Sequence, residues 1–387
     1  MAVILTFLGK GGTGKTTLAI GAAKRFASQG KRVLLALTSP ASALLLGQSL
    51  DAEPQEIKEN LQGVQLLSTP LLAKGWQEVK QLEAEYLQKP FFQAVFGEEL
   101  GVLPGMDSSI RLYALWKYDA SGNYDAIVYD GDGDLSTLRM LGTPEIFSWY
   151  IRRFRQVFVD SELGQALSPF VGPVSAAVLN GDWSADNFAQ PTQQVDRILD
   201  EGKAKISDPQ QVAAYLVTTD DPGAIATARY LWGSAQQVGL TVRGVILNKS
   251  VVADTEAAKF AESLSSLLET FDDEATNTSQ VKEQFAPLPV SVVPFSPSQE
   301  WEAIMSSLPD FSSATQAPRP LTINVNVGRV TLFLPGFDKK QVKLTQYGPE
   351  ITIEAGDQRR NILLPKQLSG KPVKGAKFQD DYLIISF

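Results

Sequence analysis

Residues 9–16 read Gly-Lys-Gly-Gly-Thr-Gly-Lys-Thr and fit the pattern G-x-x-x-x-G-K-[ST]. The glycines let successive backbone N–H groups turn toward one centre, where they can bind phosphate oxygens. A lysine then follows where its ammonium reaches the β- and γ-phosphates, and a threonine where its hydroxyl binds magnesium. The pattern therefore predicts a site for ATP with Mg²⁺. Its predicted nucleotide-binding residues are Gly11, Gly12, Thr13, Gly14, Lys15, Thr16 and Thr17.

A carboxylate at the end of a second apolar segment is the expected other half of this site. Residues 125–130 read Asp-Ala-Ile-Val-Tyr-Asp, which is typical of a buried strand that ends in an acid. Such an acid can hold magnesium through water. Thr16 and Asp130 are therefore the predicted magnesium residues. The alternative is that Asp130 only ends a strand in solvent.

The elements around these residues alternate as in an α/β protein. Residues 3–8 predict a buried strand, the spacing over 15–28 predicts a helix, and 32–38 predict a second strand. A βαβ unit of this kind implies a parallel sheet. The predicted fold class is α/β, that of a P-loop NTPase with a mostly parallel sheet flanked by helices. Further strands are predicted over 126–129, 213–218, 242–247 and 290–293, and further helices over 224–237 and 255–269.

The rest of the chain suggests two insertions and a tail. Regions of about 51–120 and 145–210 show no strand pattern and predict helical insertions, which either cover the core or enclose an apolar ligand. Residues 306–320 are rich in Ser, Thr, Ala and Pro and predict an unpacked linker. Residues 321–387 alternate apolar and polar side chains between turns, which predicts a small all-β sandwich. The main domain is expected to span 1–305.

The composition excludes several kinds of chemistry. The 387 residues include no cysteine and no histidine, which excludes disulfides, iron–sulfur clusters and histidine acid–base catalysis. No apolar run reaches the roughly 18 residues that span a bilayer, and the N-terminus lacks the basic start of a signal peptide. We therefore expect no integral membrane segment and a cytoplasmic location.

The charge is unevenly distributed. Residues 318–387 carry 11 basic and 6 acidic side chains, a net charge of +5, whereas the remainder carries −13. The acidic main part argues against nucleic acid as a partner. The basic tail is expected to dock on an acidic surface of its own chain, or alternatively to bind an external anion.

Several segments resemble known families. Lys10, the second residue of the loop, makes it resemble the deviant Walker A loop of the MinD/ArsA class. Within about 1–305, further segments resemble the narrower family of ArsA and the guided-entry (tail-anchored protein targeting) ATPases: 38–42 (TSPAS, switch I), 104–107 (PGMD), 130 with 137–141 (switch II), 217–222 (VTTDDP) and 246–249 (ILNK). Residues 334–337 (LPGF), 351–356 (ITIEAG), 360–365 (RNILLP) and 376–387 resemble the α-crystallin domain of small heat-shock proteins.

This resemblance implies a homodimer that hydrolyses ATP. Lys10 would reach across the dimer to the partner's nucleotide. The Asn248 amide would read the adenine, and the loop containing Pro294 and Phe295 would close over its ring.

The sequence departs from the family at three places. Ser39 stands where switch I normally has the Asp that orients the attacking water, and switch II reads Asp-Gly-Asp-Gly-Asp over 130–134. The resemblance therefore implies slow hydrolysis, in which Asp132 or Asp134 replaces the missing acid; alternatively, both only solvate an acidic turn. The metalloid-binding cysteines are absent, so arsenite transport is not expected. The predicted catalytic residues are Lys10, Lys15, Asp130, Asp132 and Asp134.

Two functions remain open. One is a nucleotide-gated chaperone or targeting factor that binds an apolar client segment, which the β-sandwich tail and apolar helical regions favour. The other is a MinD-like regulatory or partitioning module with little hydrolysis.

Overall fold

The computed structural model describes residues 2–86, 92–159, 189–248, 271–294, 300–313 and 316–387. The predicted helix over 255–269 and the side chain of Phe295 lie outside these ranges. The chain forms two compact units. We call Met1–Gln65, Ser121–Leu138 and Ile206–Phe387 the sheet unit, and Leu66–Ala120 with Arg139–Lys205 the helical unit.

The main sheet of the sheet unit has eight strands among the described residues. They are β1 (Val3–Leu8), β2 (Val33–Leu37), β3 (Gln55–Lys58), β4 (Leu61–Gln65), β5 (Ala126–Asp130), β6 (Val212–Thr218), β7 (Val242–Asn248) and β8 (Val290–Val293). Their order is β3-β4-β2-β5-β1-β6-β7-β8, and every neighbouring pair is parallel except β3 with β4. β2, β5 and β6 are buried along their whole length, as expected for a parallel sheet covered on both faces. This confirms the predicted fold class.

The helices are numbered in the order in which they occur along the chain. They are α1 (Lys15–Ser28), α2 (Pro40–Leu46), α3 (Ser68–Tyr86), α4 (Met106–Ala120), α5 (Leu135–Val159), α6 (Ala189–Ser207), α7 (Pro222–Gln237), α8 (Phe271–Gln284) and α9 (Trp301–Ser307). Short 3₁₀ turns cover Phe92–Ala94, Gly97–Glu99 and Lys339–Gln341. Among the described residues, no helix is both long enough and apolar enough to cross a membrane.

The prediction that the region 51–120 contains no strand is wrong for its first part. β3 and β4 lie there, and β4 pairs in parallel with β2. The sequence of β4, Leu-Gln-Gly-Val-Gln, lacks an apolar run. It is buried because it adds to the edge of a formed sheet, and even Gln65 is only 3% exposed. From residue 66 onward, the described part of this region is helical or irregular.

The C-terminal part forms two antiparallel sheets, as predicted. Their strands are β9 (Leu321–Asn324), β10 (Arg329–Phe333), β11 (Val342–Tyr347), β12 (Glu350–Ala355), β13 (Gln358–Leu363), β14 (Gly375–Gln379) and β15 (Tyr382–Ser386). The first sheet has the order β14-β15-β10-β9 and the second β11-β12-β13. Inward side chains such as Val330, Ile353 and Ile385 form a shared core between them, so this part has the alternating pattern of a sandwich.

The β-sandwich docks on α7 through aromatic contacts and hydrogen bonds. The ring centres of Trp232 and Phe333 lie 5.3 Å apart, and Gln237 donates to the carbonyl of Ala355 at 2.7 Å. Arg229 of α7 acts on the partly buried Asp381: burial raises the pKa of Asp381, and Arg229 opposes that rise. The expectation of basic tail residues on an acidic surface is therefore wrong for this contact, where apolar burial and hydrogen bonds dominate.

The predicted linker is packed over part of its length. We call residues 308–313 the strap. Its Leu308 and Phe311 are each 4% exposed, and the Phe311 ring lies 5.0 Å from the ring of Tyr215 and 6.2 Å from that of Phe7. The polar composition of this segment predicted no packing. A single aromatic side chain is nevertheless enough to anchor a short segment.

Two arginines hold the backbone of the strap. Arg25, near the end of α1, donates to the carbonyls of Leu308 at 2.5 Å and Pro309 at 3.0 Å. Arg243 of β7 donates to the carbonyl of Phe311 at 2.9 Å and to that of Ser313. The carbonyls of the strap thus accept hydrogen bonds from guanidinium groups instead of from the backbone N–H groups of a helix or strand.

Candidate active site

The loop between β1 and α1 has the backbone shape of an anion site. Gly12 and Gly14 adopt left-handed conformations, with φ of 83° and 89°. Gly14 caps α1 without a side-chain hydrogen bond, and the first helical bond runs from Leu18 N–H to the Gly14 carbonyl at 3.0 Å. The N–H groups of Lys15, Thr16 and Thr17 therefore lack intrahelical partners, and with the helix dipole they favour a phosphate at this point.

Close packing explains why glycine is needed in this loop. A Cβ on Gly14 would lie 2.2 Å from Nδ2 of Asn248, and one on Gly9 would lie 2.1 Å from the Val217 carbonyl oxygen. Both distances are far below a van der Waals contact. The β6 backbone therefore approaches Gly9 so closely that no side chain fits there. At Gly14 the contact is with the end of the Asn248 side chain, and the positive φ is the stronger reason for glycine.

Lys15 lies at the centre of the site. Its Nζ donates to the carbonyls of Gly9 at 2.9 Å and Lys10 at 3.1 Å. Burial lowers the pKa of Lys15, and the charges of Asp130, Asp134 and Asp132 oppose that fall. The ammonium is thus held at the loop among three carboxylates, where it can meet the phosphates of a nucleotide.

Asp130 ends β5 beside Thr16, as a magnesium pair requires. The carboxylate is only 4% exposed and accepts hydrogen bonds from the hydroxyls of Thr16 and Ser42, the latter at 3.2 Å. Burial raises the pKa of Asp130, while these bonds and Lys15 lower it. One hydroxyl and one carboxylate fit Mg²⁺, which takes its other ligands from phosphate oxygens and water.

Lys10 pairs within its own chain. Its Nζ lies 3.0 Å from Oδ2 of Asp221, and both side chains are about half exposed. Asp221 also caps α7 by accepting from the Ala224 N–H at 2.8 Å. Lys10 therefore lies at the mouth of the loop, bound to the start of a second helix.

Asp132 and Asp134 lie at the start of α5. Oδ1 of Asp134 accepts from the backbone N–H of Ser136 at 2.8 Å and from its hydroxyl at 2.7 Å, and Oδ2 of Asp132 accepts from the same hydroxyl at 3.1 Å. Between them, Gly133 is buried with a φ of 68°. The two acids are exposed and act on the pKa of Lys15, so the turn brings them to the site and also caps a helix.

The remaining predicted residues fall on neighbouring strand ends. Nδ2 of Asn248, the last residue of β7, donates to the Thr13 carbonyl at 2.9 Å. Pro294 follows β8 and is exposed. Ser39 is exposed immediately before α2. The adenine-binding role of Asn248 and Pro294 stays a prediction.

Comparison with known proteins identifies the family. The family described as "Anion-transporting ATPase" matches residues 2–312. The chain belongs to this family. A second match, described as "HSP20-like domain found in ArsA", covers residues 327–387. The predicted kinship with ArsA, with an α-crystallin-like tail, is confirmed.

Relatives of this ArsA-type ATPase differ in how much of its length they cover. A protein of Chlorobaculum tepidum named "Putative arsenical pump-driving ATPase" is 26% identical over 99% of this chain and 95% of its own. "Putative arsenical pump-driving ATPase 1" of Aquifex aeolicus is 23% identical over 99% of both chains. "ATPase GET3" of Mycosarcoma maydis is 24% identical over 52% of this chain and 59% of its own.

Sequence reasoning missed three contacts in this ATPase site. The Ser42 hydroxyl bonds Asp130, Asp221 pairs with Lys10, and the Gly133 N–H donates to the Thr137 hydroxyl at 3.0 Å. The Asp221–Pro222 pair carried a readable signal, since Asp at the cap and Pro at the first helical position mark a helix start. The Ser42–Asp130 contact depends on β2 lying beside β5 in the sheet, whereas the Gly133–Thr137 contact is local and joins residues four apart.

Proposed function

We propose that this chain is a dimeric ATPase of the ArsA and guided-entry type that uses its nucleotide cycle to hold and release an apolar segment of a client protein. One observation carries the proposal: large apolar side chains are exposed on the helical unit. Monomeric proteins rarely expose such groups together, and those that do often use them for binding. The exposed set among the described residues is Phe96, Leu103, Tyr113, Trp116, Ile146, Phe147, Tyr150 and Ile198.

The spacing of these residues supports a binding surface. On α5, Ile146 and Tyr150 are four residues apart and therefore share one face of the helix; Phe147 lies between them and is 53% exposed. On α4, the rings of Tyr113 and Trp116 stack with centres 5.7 Å apart. Flat aromatic surfaces of this kind suit an apolar helix of a client.

Replacing Phe147 and Tyr150 by serine should weaken binding of an apolar client. Burying one such side chain contributes about 1.5–3 kcal/mol, so affinity should fall about tenfold or more. The probe is a fluorescent peptide with a run of about 20 apolar residues, titrated with ATP and magnesium.

The matched control replaces Tyr347 and Leu363, exposed apolar residues of the β-sandwich, by serine. That variant should bind the peptide like the parent, and both variants should retain ATPase activity. Equal peptide affinity in the two variants would refute the client surface.

We infer that Thr16 and Asp130 would hold the magnesium ion and that Lys15 binds the β- and γ-phosphates. Bound magnesium neutralises phosphate charge as it develops. Asp132 and Asp134 are the carboxylates at the same loop, and Ser39 carries only a hydroxyl. We assign the role of orienting the attacking water to Asp132 or Asp134. Turnover is slow because both carboxylates also accept a hydrogen bond from the Ser136 hydroxyl.

Changing Asp132 or Asp134 to asparagine should lower kcat with little change in ATP affinity. A group that orients water acts mainly in the transition state, and general-base contributions are about 10²–10⁴-fold. Asparagine keeps the cap of α5, which separates catalysis from folding. The measurement is phosphate release at saturating ATP; unchanged turnover in both single variants and in the double variant would eliminate this role.

In the proposed dimer, Lys10 is the residue that contacts the nucleotide of the second copy. Its pairing with Asp221 is solvent-exposed and therefore weak, so a nucleotide on a second copy can draw the ammonium away. The Lys10 side chain can reach such a nucleotide because it lies at the mouth of the phosphate loop and is about half exposed.

Changing Lys10 to alanine should abolish ATP-dependent dimers, whereas changing Asp221 to asparagine should favour them. The second variant frees Lys10 yet retains a good cap for α7, so the ATP concentration for half-maximal dimerisation should fall a few-fold. Light scattering with and without ATP makes the comparison. A chain that stays monomeric throughout would remove the dimer from the proposal.

Arsenite transport is not part of this proposal, although two relatives are named for arsenical pumps. The chain has no cysteine, so it cannot supply the thiolates that bind soft metalloid ions. A MinD-like regulatory module is the competing function. It would be favoured by ATP binding without turnover and without affinity for the apolar peptide.

A further inference from the structure

A cavity of about 500 Å³ lies in the sheet unit, between the strap and the starts of β7 and β8. This is within the usual volume of sites for small molecules. Its lining combines apolar residues, among them Pro287, Leu288 and Pro289, with polar ones, among them Tyr215, Arg243 and Ser291.

Arg243 is the unusual member of this lining. It is only 5% exposed, and two of its nitrogens bind strap carbonyls. Its Nε is buried and has no hydrogen-bond partner among the described residues. Within the same residues, no carboxylate lies at ion-pair distance from this guanidinium.

A buried cation without an anion is costly. Arginine stays protonated in proteins, so it cannot escape the cost by losing a proton. Carbonyl dipoles offset part of the penalty, but an unsatisfied N–H in a native interior calls for a missing partner. Nη1 and Nη2 each carry two N–H groups and each binds one strap carbonyl, so the guanidinium keeps donors that no described residue uses.

The other polar groups define what fits beside Arg243. Both Arg243 and Asp310 act on the buried Tyr215: burial raises the pKa of Tyr215, Arg243 lowers it and Asp310 raises it. The Asp310 carboxylate is turned into its own loop, where Oδ1 accepts from the Ser312 N–H at 2.9 Å. An acid group is therefore best placed on the Arg243 side, with the rest of a molecule along the prolines.

This cavity is distinct from the nucleotide site. Arg243 is the second residue of β7, and Asn248, its last residue, contacts the phosphate loop. Five residues of strand separate them by about 17 Å. The cavity therefore lies toward the amino ends of the strands, and the nucleotide site at their carboxyl ends.

We propose that this cavity binds a small organic anion whose carboxylate or phosphate group pairs with the guanidinium of Arg243. The strap forms one wall, so a bound anion becomes a further anchor between the strap and β7. The proposal is independent of the client and the dimer.

Calorimetric titration with inorganic phosphate and with succinate tests the site. The full-length Lys15→Ala variant is the reference protein, since it removes the main phosphate ligand of the nucleotide loop. Arg243→Met should weaken binding at least tenfold. Arg25→Met is the matched control, because Arg25 also holds strap carbonyls but does not line the cavity, and it should leave affinity unchanged.

A second variant keeps the test decisive if Arg243→Met does not fold. Ser291→Leu fills the cavity from β8 and leaves Arg243 in place, so it too should abolish binding, while Ser291→Ala should not. Binding of phosphate alone or of succinate alone supports the site and assigns its acid group. The proposal is overturned if neither probe binds the reference protein, if Arg243→Met or Ser291→Leu binds with reference affinity, or if Arg25→Met weakens binding equally.

Discussion

Replacing Lys15 by alanine should lower ATP affinity by about 100-fold or more. The ammonium is the cation that the loop holds between its own carbonyls and three nearby acids. Without it, the charges of Asp130, Asp132 and Asp134 face an incoming polyphosphate uncompensated, in a partly buried place where Coulomb energies are large. Isothermal titration with ATP and magnesium measures the loss.

The matched control is Lys58→Ala, which removes an exposed lysine of β3 outside the loop. It should bind ATP as the parent does. Circular dichroism should show that both variants are folded, because no core side chain is changed. If Lys15→Ala binds ATP within a few-fold of the parent, the phosphate-binding role of this loop is refuted.

Replacing Gly133 by alanine should damage both the fold and nucleotide binding. Its φ is 68°, and a Cβ would lie 2.4 Å from Cε of Lys15 and 2.6 Å from the Phe7 carbonyl oxygen. The Gly133 carbonyl also accepts from the Gly9 N–H at 2.9 Å. The added methyl group must therefore displace Lys15 or the loop itself.

Gly122→Ala separates backbone strain from the clash. Gly122 has nearly the same φ, 69°, and nothing within 4 Å of its would-be Cβ. Strain alone costs about 1–3 kcal/mol, so both variants should lose that much in urea unfolding. Only Gly133→Ala should lose more stability and also about tenfold or more in ATP affinity. Equal losses in the two variants would show that the contact with Lys15 is unimportant.

Short-range sequence patterns predicted much of the site. The loop from Gly9 to Thr16 requires glycines and a lysine at fixed spacing, and a helix starts at Lys15 and ends at Ser28 as its apolar spacing predicts. Asp130 ends β5 as its apolar run predicts. Each of these inferences uses residues that are close in sequence, so it needs no knowledge of the sheet order.

Contacts between segments that are far apart in sequence could not be predicted in this way. Arg243 and the strap are about 70 residues apart, and Lys10 and Asp221 are 211 apart. β4 has no apolar run, yet it is buried because β2 offers it an edge. In each case the environment of a polar residue is set by which strand lies beside it.

The sequence by itself determined the glycine-rich loop, the strand that ends at Asp130, the α/β class of the main part and the all-β tail, because periodicity and motif spacing act over a few residues. Only the tertiary structure decided the burial of Phe311, the docking of the tail on α7 and the burial of the Arg243 guanidinium. These features depend on the strand order, which brings distant residues together and excludes water from between them. Burial then fixes their energies, because the cost of an unpaired charge and the gain from an apolar side chain both depend on losing water.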